Sequence, residues 1–109
     1  MTTASSDNPF TRRLRDTIAE CLRLKPPYNP SDFRLALDAC NGDFVPRAKQ
    51  MLREHLHDGV LTLARRKALG LSMEWIIANE PQWRDLFTDE DRKLATDRLE
   101  TASRFVESP

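Results

Sequence analysis

From Phe10 to Val106, large apolar residues return every third or fourth position, and no stretch alternates long enough to suggest a strand. A repeat near 3.6 residues is that of one α-helical face, whereas a strand buries every second residue. Only three glycines are present, which leaves little material for hairpin turns. The pattern predicts an all-α fold, a compact orthogonal or bundle-like domain of five or six helices. It is expected to span residues 9–107 as one domain, after a flexible polar tail over 1–8.

Prolines, glycines and capping residues divide the repeat. Asn8-Pro9 reads as an N-cap with proline at the first helical position, opening a helix with Phe10, Leu14, Ile18, Cys21 and Leu22 on its apolar side. Lys25-Pro26-Pro27 ends it, because proline cannot continue a helix and disfavours helix at the residue before it. Ser31 is the expected cap of a short helix buried through Phe33, Ala36, Leu37 and Cys40, closed by Asn41-Gly42. Asp43 caps the next, whose face is Phe44, Ala48, Met51, Leu52, His55 and Leu56. The stripe continues in phase through Val60, Leu63 and Ala64, but His57-Asp58-Gly59 suggests a break or kink, since glycine costs a helix interior about 1 kcal/mol.

Gly70 is read as the stop before Ser72, which starts a short helix over Met73, Trp75, Ile76 and Ile77 to about Asn79. Pro81 opens a further turn or two. Thr88, followed by Asp89, Glu90 and Asp91, suits the positive end of a last helix, striped by Leu94, Ala95, Leu99, Ala102 and Val106. The 44–57 helix, the 73–79 helix and this final helix are expected at the centre.

Composition bounds the function. Over the 109 residues, 39% are apolar and 31% charged, against about 45–50% and about 25% in typical domains. Such a chain builds a modest core under solvated helix faces, or has part of its core completed by a second copy. Seventeen basic and seventeen acidic residues cancel, which argues against a dedicated nucleic-acid binder. The charge is nonetheless uneven, +4 over residues 1–70 and −4 over 71–109. Cys21 and Cys40 fall on apolar stripes and read as small hydrophobes. No signal-peptide pattern opens the chain and no apolar run is long enough to span a bilayer, so a cytoplasmic protein with no membrane partner is expected.

Motifs for chemistry are sparse. Glu54, His55, His57 and Asp58 are the only cluster of metal-ligand types, yet histidines two apart on a helix point about 200° from each other and cannot share one ion. No zinc-knuckle spacing, phosphate loop or nucleophile–base pattern occurs, so no cofactor, no metal and no enzymatic activity are expected.

Two fragments bear on nucleic acid. Ala36 to Asp43, with Arg47, Ala48 and Leu52, resembles the helix–glycine-turn–helix of bacterial helix-turn-helix regulators, which place the second helix in the major groove. Here the spacing is one residue longer, and Pro46 sits where the reading surface begins. Leu69-Gly70-Leu71-Ser72 resembles the turn before a recognition helix, but that helix would offer Met73, Glu74, Trp75, Ile76 and Ile77 to DNA. The run Arg65-Arg66-Lys67 suits the negative end of a helix dipole. With Arg47 and Lys49, it also supplies the candidate phosphate contacts.

The densest apolar stretch is 73–87, with both tryptophans. Met73, Trp75, Ile76, Ile77, Trp83, Leu86 and Phe87 are therefore the candidate partner-binding residues, because surplus aromatic surface is what interface cores are built from. The competing reading is a short helix buried on all sides. The expected function is a small non-enzymatic interaction module that docks a protein partner or forms a homodimer. A helix-turn-helix-like DNA-binding regulator is the alternative, and a small enzyme or metal protein a distant third.

Overall fold

A computed structural model of the chain describes residues 7–54 and 58–107. All regular structure in it is helical: α1 (Pro9–Leu22), α2 (Ser31–Asp38), α3 (Val45–Leu52), α4 (Asp58–Arg65), α5 (Met73–Asn79) and α6 (Asp89–Glu107), with short 3-10 helices at Leu69–Leu71 and Pro81–Leu86. The chain is all-α, as the periodicity requires. Its contacts gather into two compact units, one ending at Arg47 and one beginning at Ala48.

In the first unit, Asn8 organises the start of α1. Its side chain accepts the Thr11 N–H at 2.9 Å, its backbone N–H donates to Gly42 O at 2.7 Å, and its amide donates to Asp43 Oδ1 at 3.0 Å. Asn41 and Gly42 both take positive φ, 56° and 88°, which lets the chain leave α2 and return to the head of α1. Thr11, fully buried, accepts the Phe44 N–H at 2.9 Å. The Phe44 ring meets Phe33 edge-on, centroids 5.5 Å apart. Arg15 ties the same corner together, donating to Asp7, to Asp38 at 2.9 Å and to the Leu37 carbonyl. Its hydrogen bonds to Asp7 and then Asp38 raise its pKa further, so it is a permanent cation. Phe10, Leu14, Ile18, Cys21 and Leu37 are buried as the stripes anticipate, but Leu22 is largely exposed because α1 ends there. Ser31 begins α2 as its first helical residue and not as its cap; the N-cap position is held by Pro30, with no side-chain cap bond.

In the second unit, α6 is the spine against which α4 and α5 both pack, and the Leu69–Leu71 turn rests on both of these shorter helices. Val60, Ala64 and Ala102 form a buried cluster flanked by Leu61, Leu69 and Val106. Small residues at 64 and 102 let the two helices approach closely. The stretch after Phe44 is not one helix: α3 ends at Leu52, a turn and bend follow at Arg53 and Glu54, and α4 starts at Asp58. The expected helix over 44–57 is thus shorter by several residues, and the His55, Leu56 and His57 part of that expectation lies outside the described residues.

The end of α4 differs from the sequence reading for a physical reason. The stop of α4 is not at Gly70. Lys67 takes a left-handed φ of 57°, its N–H reaches Ala64 O at 3.0 Å, and the Ala68 N–H reaches Leu63 O at 2.8 Å. This pair of reversed bonds is the Schellman ending, which usually carries glycine at the position of Lys67. Gly70 lies beyond it, exposed and with open space where a Cβ would stand. At the start of α6, Asp91 is buried.

Candidate functional site

Of the seven apolar residues singled out for partner binding, Met73, Ile76, Ile77 and Phe87 are buried within the protein and withdrawn from any partner. Met73, Ile76 and Ile77 are buried because α5 is a short helix lodged against α6 and the Leu69–Leu71 turn. Ser72 caps it, accepting the Trp75 N–H at 3.1 Å and donating its hydroxyl to Leu69 O at 2.7 Å. What α5 leaves outside is Trp75, 36% exposed, together with Asn79. Asn79 turns its amide back onto the Trp75 carbonyl at 3.1 Å.

The second exposed apolar group of this segment is Leu86, at 37%. Trp83 is half-buried, its indole N–H donating to Glu80 Oε1 at 2.8 Å, and Gln82 shares that oxygen at 3.4 Å. Arg92 holds the end of the 3-10 helix by donating to the carbonyls of Arg84 and Phe87, at 3.2 and 2.9 Å. The reachable apolar side chains of the segment are thus Trp75, Trp83 and Leu86, with Arg84 and Asp85 also exposed. Outside this segment, Leu22, Leu35 and Phe105 are also exposed, at 40%, 66% and 63%.

The basic candidates divide. Lys49 lies 3.6 Å from Asp91 and 5.9 Å above the Phe87 ring centre, so its charge is engaged inside its own unit. Arg47 is half-buried, on the last residue of the first unit. Arg65 and Lys67 are exposed and Arg66 is half-buried, all three at the end of α4. The helix after that turn does not offer a reading face: Glu74, Ile76 and Ile77 are buried, and Trp75 and Asn79 are its exposed side chains.

Three buried charges are absent from the sequence-based candidates. Arg98 Nε donates to Glu74 Oε2 at 2.9 Å, and both side chains are buried. The same guanidinium donates to Glu54 O at 2.8 Å and Leu52 O at 3.5 Å, covering carbonyls left over at the end of α3. Asp91, 1% exposed, completes a capping box: the Thr88 N–H donates to Asp91 Oδ2 at 2.9 Å and the Asp91 N–H to Thr88 Oγ1 at 3.0 Å. Arg53 approaches its other oxygen at 2.8 Å. Burial pushes the Asp91 pKa up, but the Thr88 N–H, the Arg53 guanidinium and the Thr88 hydroxyl outweigh it and leave the carboxyl below its ordinary value.

The signal for Arg98 was present in its phase, three residues after Ala95 and four before Ala102, both fully buried. Glu74 stood inside a stretch whose apolar density implied burial. Chemically, these carboxylates face arginines and a helix start, an arrangement that fixes structure. Among the described residues, no group of three or more His, Cys, Asp or Glu is placed to hold a metal ion, and His55 and His57 lie outside them. No helix among the described residues is long and apolar enough to cross a membrane. The chain matches no protein-family model, no curated protein and no solved structure.

Proposed function

We propose that this chain is a small non-enzymatic interaction module that self-associates through the surface of Trp75, Trp83 and Leu86. The observation carrying this reading is the exposure of Trp75 and Leu86 in a segment that buries every other large apolar side chain except half-buried Trp83. The indole of Trp75 stands on a helix capped by Ser72, and aromatic anchors dominate interface energetics. The zero net charge supports a second copy as the partner, since two copies meet without long-range repulsion. The two free cysteines fit a reducing compartment, so the same proposal puts the protein in the cytoplasm.

The test is the molar mass of the wild type beside Trp75→Glu and Leu86→Glu. Each substitution sits at an exposed position and leaves the helical content intact. Mass above one chain in the wild type, reduced in both variants, supports the module; wild-type mass of one chain overturns self-association and leaves docking of another protein to be tested with the same variants.

The exposure of Arg65 and Lys67 favours a second reading, contact with nucleic-acid phosphates. Binding of random-sequence duplex DNA at low and at moderate salt separates the two. Phosphate contacts release counterions, so binding by this route weakens steeply with salt and is lost in Arg65→Ala and Lys67→Ala. An interaction module of the first kind gives no such binding.

A further inference from the structure

We draw no further inference here: the strongest candidate, the groove between the end of α3 and the side of α6 lined by Leu52, Glu54, Leu94, Arg98 and Thr101, has its Arg98 charge committed to Glu74, and nothing in the structure shows what covers it.

Discussion

Arg98 and Glu74, 24 residues apart in sequence, meet at 2.9 Å as a buried ion pair that joins α6 to α5. The pair also closes the end of α3, because Nη1 of Arg98 donates to the Glu54 and Leu52 carbonyls. Removing one partner strands the other charge without water. Glu74→Ala and Arg98→Ala are each expected to cost about 3–5 kcal/mol. The double variant is expected to cost clearly less than the sum, since the second deletion removes the charge stranded by the first. Urea unfolding of the four proteins measures this, and simple additivity would show the two residues to be independent.

Asp91 gives the fold an acid-sensitive joint. Its pKa lies below the ordinary carboxylate value, so the ionised form is the one that folding favours. The stability it contributes is present above the unfolded aspartate pKa of about 3.9, and is lost as pH falls from there through the lower folded value. Asp91→Asn is expected to destabilise at neutral pH by about 1 kcal/mol, the usual value of such a cap. The gap between wild type and variant should shrink below pH of about 4. Denaturant midpoints across pH read this directly, and a gap independent of pH would contradict it.

The end of α4 reverses the usual expectation for glycine. Lys67 holds a left-handed conformation that costs a residue with a side chain about 1–2 kcal/mol. Lys67→Gly is therefore expected to stabilise by about 1 kcal/mol. Gly70 has no positive φ among the backbone exceptions and has room for a Cβ, so Gly70→Ala should be neutral or stabilise by about 0.4–1 kcal/mol. Thermal unfolding of the two variants tests this assignment; destabilisation by Gly70→Ala would move the special turn back to Gly70.

The two thiols differ in access: Cys21 is buried and Cys40 half-exposed. The Cys40 thiol donates to the Leu37 carbonyl at 3.0 Å, and both cysteines are free. A small thiol reagent is expected to modify half-exposed Cys40 in the native protein and buried Cys21 only on unfolding. Mild oxidation should not cross-link the two within one chain, and mass spectrometry of the oxidised protein would reveal it if it did.

Much of the helical layout was legible because local chemistry decides it. Asn8-Pro9, Ser72 and Thr88 each place a helix start within a residue of the sequence reading, since a cap acts over three or four neighbours, whereas α2 already ends at Asp38, before the Asn41-Gly42 turn expected to close it. Lys67 was not legible: the hydrogen bonds that hold it in a left-handed turn form whether or not glycine is there, and Gly70 drew the assignment downstream. Glu74 and Arg98 are not legible for a different reason. A charge in phase with an apolar stripe reads as an interruption until its partner is known, and that partner lies on another helix. The division of 73–87 into buried Met73, Ile76, Ile77 and Phe87 and exposed Trp75 and Leu86 depends on where α6 runs, which the segment itself does not encode.

The central claim is that the exposed side chains of Trp75 and Leu86 bind a second copy. Sedimentation velocity over a wide range of protein concentration tests it most directly, with the wild type run beside Trp75→Glu. The wild type is expected to rise above the single-chain mass of 12.6 kDa as concentration increases, while the variant stays at it with unchanged helical content. A wild type that remains at the single-chain mass throughout, or a variant that associates equally well, would contradict the account.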